Sequence, residues 1–249
     1  MRWKVTVDSW RWVMLVGAAP AALTYLIRLF VPESEKWQES VKTRVQTPVR
    51  EIFSPALRKR TFLAIGFASV ALIATWGIVQ WIPLWVEQMK DNHDPLRKAH
   101  IQLCTALGAT LGSFIAPLVG GMIGRRLTYF LLCVAALGSC LWLFLGLGDY
   151  GPLFLFAAVL VGVFTAAFYG WMPLYLPELF PTRVRATGQG LAYNAGRVLA
   201  AVGAWQTPAL IAFFGGSYRS AGSTLACVYV VGMILIWFAP ETKGRPLPE

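Results

Sequence analysis

Seven long apolar runs, separated by short polar breaks, dominate this chain of 249 residues. A bilayer crossing needs about 20 predominantly apolar residues in a helix, and each run is close to that length or longer. The runs are Trp10–Val31, Phe62–Val86, Ile101–Ile123, Leu127–Leu147, Leu153–Leu176, Gly188–Phe214 and Gly222–Ala239. We therefore predict an all-α membrane protein with seven transmembrane helices, whose two termini lie on opposite sides of the bilayer.

The composition supports a chain embedded in lipid. Hydrophobic residues make up 57% of it and charged residues only 14%, whereas a soluble domain carries roughly 25% charged residues. The formal net charge is +10, but the basic residues flank the apolar runs and form no stripe, so we expect no nucleic-acid partner. The four cysteines all lie in apolar runs, where they serve as small hydrophobic side chains, and we expect no metal and no cofactor.

The basic residues also orient the predicted helices. Most of those outside the runs fall on one side, in residues 32–60, in the breaks after the third and fifth runs, and after the last run. Because cytoplasmic loops carry an excess of lysine and arginine, this side is predicted to be cytoplasmic. The chain is thus predicted to be a multi-pass protein of the cell (inner) membrane, with its N-terminus outside and its C-terminus in the cytoplasm.

Four short motifs lie in the breaks predicted to be cytoplasmic. They are Pro32-Glu33-Ser34, Gly124-Arg125-Arg126, Pro177–Thr182 with Arg185, and Pro240–Gly244. In order and spacing they resemble the PES, GRR, E-[IL]-F-P-x-x-x-R and PETKG turns of the major facilitator superfamily, in its sugar-porter-like and metabolite:proton symporter branch. Any one motif alone is a weak signal, whereas the four together are a specific one.

The resemblance maps the seven runs onto helices six to twelve of a twelve-helix fold, so the major facilitator fold would lack its first five helices here. Residues 1–31 would be an outer segment and family helix six, 32–60 a cytoplasmic linker, 61–239 the six-helix C-terminal half, and 240–249 a cytoplasmic tail. The resemblance implies a proton-coupled secondary transporter that works by alternating access and is not an enzyme. We expect the chain to be a truncated form that needs the missing N-terminal half for transport.

Two positions depart from the family pattern and bear on the substrate. Gly121 and Met122 stand where the GRR turn usually begins with an acidic and a basic residue, and Pro173 stands where hexose porters carry a tryptophan. The stretch Tyr193–Arg197 resembles branches that carry organic anions. The predicted substrate is therefore a small organic anion. The alternatives are a sugar or polyol porter, and a non-transporting seven-helix remnant or receptor-like protein.

Arg197, deep in the sixth run, is the leading candidate for a substrate-binding residue. At ~1.5 Å per residue, it lies about 15 Å beyond Thr187, near the middle of a bilayer. A central arginine costs roughly 2.5–3.5 kcal/mol to insert, and no Asp or Glu lies well inside any run. Both a structural pairing with the missing half and a substrate role remain open, and we favour the substrate. Tyr193 and Asn194, about one turn earlier, would orient it.

Aromatic and amide side chains in the second and fifth runs complete the candidate binding set. Trp76 and Gln80 are four residues apart and would share one helical face. Tyr169 and Trp171 precede Pro173, which would interrupt the helix and form a hinge. The full predicted substrate-binding set is Arg197, Tyr193, Asn194, Trp76, Gln80, Trp81, Tyr169 and Trp171.

The charged residues of the predicted cytoplasmic turns form a candidate gate, which consists of Glu178, Arg125, Arg126, Arg183 and Arg185. The resemblance implies that Glu178 faces the arginines of the GRR turn, in a latch that opens as the two halves rock. We predict an exposed Glu178–arginine pair that adds about 0–1 kcal/mol of stability, so its loss should slow the conformational cycle more than it weakens folding. In the alternative, the arginines only contact lipid headgroups.

Overall fold

The computed structural model of the chain describes residues 10–30, 48–89 and 96–248, and within these ranges it contains helices and turns but no strand. The all-α prediction is therefore confirmed. The chain divides into two units, Met1–Val45 and Gln46–Glu249. The linker predicted for residues 32–60 lies mostly outside the described residues.

The first unit contains one helix, α1 (Trp10–Phe30), which includes Pro20. The Thr24 hydroxyl donates a hydrogen bond to the Pro20 carbonyl oxygen, at 3.0 Å. None of the helix's residues is buried, and its large apolar side chains are exposed around its whole circumference. An apolar helix of 21 residues with this surface fits a bilayer crossing.

The second unit is a bundle of helices joined by short turns. Its helices are α2 (Pro48–Ile52), α3 (Arg58–Gly77), α4 (Ile82–Gln88), α5 (Arg97–Ile123), α6 (Arg125–Leu141), α7 (Pro152–Tyr175), α8 (Arg185–Phe213), α9 (Tyr218–Ala226) and α10 (Val228–Leu235). A 3₁₀ turn, Val79–Trp81, connects α3 to α4, and a second one, Ile236–Phe238, follows α10. A π turn, Trp142–Gly146, ends α6.

Six stretches of the described chain are long and apolar enough to cross a membrane. They are Trp10–Phe30, Arg58–Gln88, Arg97–Ile123, Arg125–Gly146, Pro152–Leu179 and Tyr218–Phe238. The predicted count of seven is therefore not exact. Helix α8 covers nearly all of the predicted run Gly188–Phe214 and is 29 residues long, but polar residues such as Asn194, Arg197 and Gln206 lower its hydropathy.

Two closely packed helix pairs, α5 with α7 and α3 with α8, form the frame of the second unit. A methyl group added at Gly108, Gly112 or Gly162 would overlap a backbone carbonyl oxygen of the opposite helix of the first pair. In the second pair, Gly196 lies directly against Ala68. Small residues let the helix backbones approach in this way, which is how helices associate in lipid.

A cluster of buried aromatic rings fills the centre of the second unit and includes Trp171, one of the predicted substrate-binding residues. Trp171 is fully buried, and its ring centroid lies 4.6 Å from that of Tyr129 and 5.9 Å from that of Phe67. Its indole N–H donates to the backbone oxygen of Arg125 at 3.1 Å. The residue thus belongs to the core and fixes the start of α6.

One end of the second unit carries most of its basic turns, and we call it the basic end. It comprises α2, the start of α3, the α5–α6 turn, the α7–α8 turn and residues 240–248. Side chains tie these parts together: Arg183 contacts Glu51 of α2 at 2.7 Å, and Arg60 donates to the Leu179 carbonyl oxygen at 3.2 Å. These two contacts join α2 and the start of α3 to the α7–α8 turn.

Candidate functional site

A cavity of about 560 Å³ opens between α7 and α8, and we call it the arginine cavity. Its lining comes from the end of α7 and the turn after it, and from the first half of α8: Tyr169, Met172, Pro173, Leu176, Pro177, Gln189, Gly190, Tyr193, Asn194 and Arg197. Four of the predicted binding residues line this cavity: Tyr193, Asn194 and Arg197 from α8, and Tyr169 from α7. Helix α7 continues through Pro173 to Tyr175, so the predicted interruption at this proline is not seen.

Arg197 is an exposed cation in the wall of this cavity. Its guanidinium carbon lies 4.8 Å from the centroid of the Tyr193 ring, which is within the range of a cation–π interaction. Apart from that ring, Arg197 has no hydrogen-bond or ion-pair partner among residues 10–30, 48–89 and 96–248. The charge therefore remains available to a ligand.

The helical repeat explains how α8 builds this wall. Gln189, Tyr193 and Arg197 follow one another at intervals of four residues, which places them on one face of the helix. The Asn194 side-chain N–H₂ donates to the Gly190 oxygen at 2.8 Å, which fixes the amide beside the same face. From the start of α8, Arg197 lies roughly 18 Å along a helix about 43 Å long, close to its middle.

A second cavity, of about 720 Å³, lies between α3, α5 and α7 and shares Tyr169 with the first. Its polar lining is uncharged: Thr75, Gln80, Gln102, Thr105, Thr110, Ser113, Thr165 and Tyr169. Most of the hydroxyls already donate to backbone carbonyls, for example Thr75 to Ala71 at 2.9 Å and Thr165 to Val161 at 2.6 Å. They can therefore act mainly as acceptors, and we call this space the hydroxyl cavity.

The remaining predicted aromatic residues lie outside both cavities. Helix α3 ends at Gly77, and the 3₁₀ turn Val79–Trp81 follows. The α-helical spacing assumed for Trp76 and Gln80 therefore does not hold: Gln80 lines the hydroxyl cavity, whereas Trp76 is half exposed away from it. Trp81 packs near Tyr218, with ring centroids 6.5 Å apart.

Several cavity residues were not predicted from the sequence. Gln189 lies four residues before Tyr193, a spacing that would have identified it once Arg197 had been chosen. Pro177 and Leu176 line the arginine cavity only because the chain turns at the end of α7. Gln102 and Ser113 line the hydroxyl cavity, but α5 carries no local signal that separates its cavity face from its lipid face.

At the basic end, Glu178 forms a bidentate pair with Arg125. Arg125 Nε donates to Glu178 Oε2 at 3.0 Å, and Arg125 Nη2 donates to Oε1 at 2.6 Å. The Thr242 hydroxyl donates to the same carboxylate at 2.5 Å. The predicted pairing of Glu178 with an arginine of this turn is confirmed. The expectation of an exposed pair is wrong, because only 12% and 13% of the two side chains is exposed.

The other three arginines of the candidate gate have different partners. Arg126 lies over the Trp237 ring, 5.1 Å from its centroid, and donates to the Trp237 carbonyl oxygen at 3.0 Å. Arg183 pairs with Glu51. Arg185 donates to backbone oxygens of the α7–α8 turn and of the C-terminal segment. These side chains hold turns together, and whether any of them gates a transport path stays a prediction.

Glu241, which the sequence analysis did not single out, closes the start of α6. Its carboxylate accepts hydrogen bonds from the backbone N–H groups of Arg125, Arg126, Thr242 and Lys243, each at 3.0 Å. Partial burial alone would raise the pKa of Glu241, but these four donors outweigh it and hold the pKa below its ordinary value. A carboxylate at a helix N-terminus is also favoured by the helix dipole.

The turn before α6 makes room for that carboxylate. Gly124 has a positive φ of 102°, a conformation that favours glycine, and a Cβ atom there would lie only 3.0 Å from the Glu241 carboxylate. The glycine and glutamate of two motifs far apart in the sequence therefore fit each other. In this way the GRR turn, the α7–α8 turn and the C-terminal segment form one connected network.

Long apolar helices, a polar cavity between them and a charged network at one end are features of a multi-pass membrane protein. The family model described as the Major Facilitator Superfamily matches residues 3–204, and the chain belongs to this superfamily. The predicted family is thus confirmed. Its members are transporters and not enzymes.

Individual relatives cover almost the whole of this chain. It is similar to the cis,cis-muconate transport protein of Acinetobacter baylyi, with 27% identity over 98% of this chain and 60% of the relative. It is also similar to the inner membrane metabolite transport protein YgcS of Escherichia coli, with 28% identity over 96% and 58%. A third relative, the sialic acid transporter NanX of Escherichia coli, is 24% identical over 92% and 55%. The chain therefore spans about three fifths of the length of these relatives.

Proposed function

We propose that this chain forms the C-terminal half of a proton-coupled secondary transporter, which moves a small organic anion across the cell (inner) membrane by alternating access. The observation that carries the proposal is Arg197, an exposed guanidinium in the arginine cavity without an acidic partner among the described residues. The N-terminus would lie outside the cell and the basic end in the cytoplasm.

A carboxylate is the ligand that the chemistry of Arg197 favours. A guanidinium offers a planar fork of N–H donors that matches the two oxygens of a carboxylate, and charge-assisted pairs of this kind are the strong ones. Tyr193 restrains the guanidinium from one side. Gln189 and Asn194 add amide groups to the same cavity wall and would bind polar groups on the remainder of the anion.

The names of two relatives favour the same class of substrate. The Acinetobacter baylyi protein is named for cis,cis-muconate and one Escherichia coli protein for sialic acid, and both compounds are organic acids. At this level of identity they support an acid as the substrate of this chain without specifying which acid.

We assign the proton-coupling carboxylate to the opposite half of the transporter. In the described spans, acidic residues occur only near the ends, at Glu87 and Glu178, and neither lies in the arginine cavity. The opposite half would also supply the second wall of the transport path. Transport by this chain then requires those helices, whether in the same polypeptide or in another one.

The Glu178–Arg125–Thr242 network is proposed to close the basic end in one state of the cycle. It links the α5–α6 turn, the α7–α8 turn and the C-terminal segment. It would therefore hold this end of the half together while the two halves rock. We expect Glu178→Gln to slow uptake by the complete transporter while leaving the affinity for the anion unchanged.

A direct test is anion binding to the purified full chain in detergent, measured by isothermal titration calorimetry. We expect cis,cis-muconate or sialic acid to bind the wild-type chain, Arg197→Lys to bind at least tenfold more weakly because the fork is lost, and Arg197→Gln to show no binding. Arg50→Gln, which removes an exposed arginine outside both cavities, is the matched control. Unchanged binding by Arg197→Gln would overturn the proposal.

The uncharged lining of the hydroxyl cavity favours a second candidate, a sugar or polyol substrate. Its amides and hydroxyls suit a polyhydroxylated ligand, and Gln80 and Gln102 have no side-chain hydrogen bonds within the described part of the chain. In the same titration, glucose or sorbitol would then bind the wild type and Arg197→Gln equally.

A further inference from the structure

The outer surface of the second unit carries a groove of about 510 Å³ between the start of α3 and the end of α10, at the basic end. Its lining is Arg58, Lys59, Phe62, Leu63, Leu235 and Phe238. The groove is separate from the arginine cavity and the hydroxyl cavity, with which it shares no residue. The lining consists of two cationic and four apolar side chains.

The apolar part of the groove is built by close helix packing. Leu235 of α10 lies against Gly66 of α3, where a Cβ atom would be only 3.0 Å from its Cδ1. Leu63 forms the floor and is almost fully buried, whereas Phe62 and Phe238 are 62% and 59% exposed and form the rims. Phe53 supports the Phe62 ring at a centroid distance of 5.9 Å.

The two cations of the groove have no side-chain partner within the part of the chain that the structure describes. Arg58 and Lys59 are exposed and make no hydrogen bond or ion pair through their side chains to any residue in the described ranges. Arg60, in the same turn, already has a partner, because it donates a hydrogen bond to the Leu179 carbonyl oxygen. The first turn of α3 contains no acidic residue, so two positive charges lie above an apolar groove with no acidic partner among the described residues.

The spacing of these groups matches the layers of a membrane. Arg58 precedes Phe62 by one helical turn, roughly 6 Å along the axis. The polar zone of one leaflet is roughly 5–8 Å thick, the difference between the whole bilayer and its hydrocarbon core divided over two faces. With Phe62 and Phe238 at the edge of the hydrocarbon, Arg58 and Lys59 therefore lie at the level of the headgroups.

We propose that this groove binds one anionic glycerophospholipid, with its phosphate between Arg58 and Lys59 and an acyl chain over Leu63 and Leu235. Basic pockets between membrane helices bind acidic headgroups by this charge complementarity. The apolar floor distinguishes the site from a general attraction to a negative surface, because it also requires the lipid tail. The proposal does not depend on which solute, if any, the arginine cavity binds.

The test compares lipids that differ only in the headgroup. The purified full chain in detergent is mixed with dioleoyl-phosphatidylglycerol and dioleoyl-phosphatidylcholine, and bound lipid is counted by native mass spectrometry. Each basic residue at an anionic headgroup contributes about fivefold, so we expect phosphatidylglycerol to be preferred by roughly ten- to thirtyfold. The double variant Arg58→Gln/Lys59→Gln should lose that preference, and Phe62→Ala should lower the occupancy of both lipids.

The control pair Arg50→Gln/Arg245→Gln removes the same charge from exposed positions outside the groove and should keep the preference. All changed side chains are exposed, and helical circular dichroism checks that each variant folds. An equal loss in the control pair, or no preference in the wild type, would overturn the proposal. So would full competition by soluble glycerol 3-phosphate, because a free phosphate needs no apolar groove.

Discussion

The arginine cavity and the basic end place the same side chain in opposite situations. Arg125 is mostly buried and bonded to Glu178 through two of its nitrogens, and it also donates to the Gly120 oxygen at 3.0 Å. Arg197 is exposed in a cavity, lies over the Tyr193 ring and has no hydrogen-bond or ion-pair partner among the described residues. A fully paired arginine stabilises a turn, whereas an arginine in a cavity wall without an acidic partner among the described residues is available for binding. The two regions should therefore respond differently to the same substitution.

The largest difference is expected in stability. Arg125→Gln leaves the mostly buried Glu178 carboxylate with the Thr242 hydroxyl alone, and we expect the free energy of unfolding to fall by about 2–3 kcal/mol. Arg197→Gln should change it by no more than about 0.5–1 kcal/mol, since only the exposed contact with the Tyr193 ring is lost. Titration with sodium dodecyl sulfate, followed by circular dichroism, measures both.

A double-mutant cycle sharpens this prediction. Arg125→Gln combined with Glu178→Gln should cost less than the sum of the single changes, with a coupling energy on the order of 1–3 kcal/mol. Equal losses for Arg125→Gln and Arg197→Gln would mean that Arg197 has a structural partner, and the contrast between the two regions would be wrong.

An intermediate effect is expected from pH, through Glu241. Because its folded pKa lies below the ordinary value, its contribution is fully present above the unfolded pKa of about 4.3 and is lost as pH falls through the folded pKa. Glu241→Gln should therefore reduce stability by about 1–2 kcal/mol at pH 7 and by much less at pH 3.

The control for this pH experiment is again Arg197→Gln. This variant leaves the Glu241 network unchanged, so the difference in stability between Arg197→Gln and the wild type should stay constant from pH 7 to pH 3. A constant gap between Glu241→Gln and the wild type over the same range would show that the four backbone hydrogen bonds do not depend on the carboxylate charge.

The smallest effect is expected from the ring beside Arg197. Tyr193→Leu removes a cation–π contact worth about 0.5–1 kcal/mol at an exposed site, so anion affinity should fall about two- to fivefold, while Tyr193→Phe should retain most of it. Trp205→Leu, which changes an exposed aromatic of α8 away from both cavities, should have no effect. An equal decrease for Trp205→Leu would indicate a general change in α8.

The sequence predicted the positions of the helices along the chain better than it predicted which side chains face the core. The lengths of the apolar runs predicted where the helices lie in the sequence, and the polar turns between them carried the family motifs. Which face of a helix points into the core depends on the helices that pack against it. Trp171 was expected in the binding set but lies in the aromatic core, and Trp76 and Gln80 were separated by the 3₁₀ turn after Gly77.

In the charged network, too, some contacts could be predicted from the sequence and others could not. Glu178 could be paired with the GRR turn because both belong to recognised motifs. Glu241 was missed as the partner of the α6 N-terminus because its four donors become neighbours only after the chain folds back. Gln189 could have been predicted from the sequence, because it repeats the four-residue spacing of Tyr193 and Arg197.

The pairing of α3 with α8 has a consequence for how this protein is made. Most of the apolar stretch that includes α3 is buried in the finished bundle, 61% of its most apolar window, yet its main partner α8 ends only at Phe213. At about 5–20 residues synthesised per second, on the order of ten to thirty seconds separate the completion of the two helices. During biosynthesis α3 therefore waits in the translocation machinery or in lipid with its small-residue face uncovered, and conditions that shorten or lengthen this interval should alter the yield of correctly assembled protein.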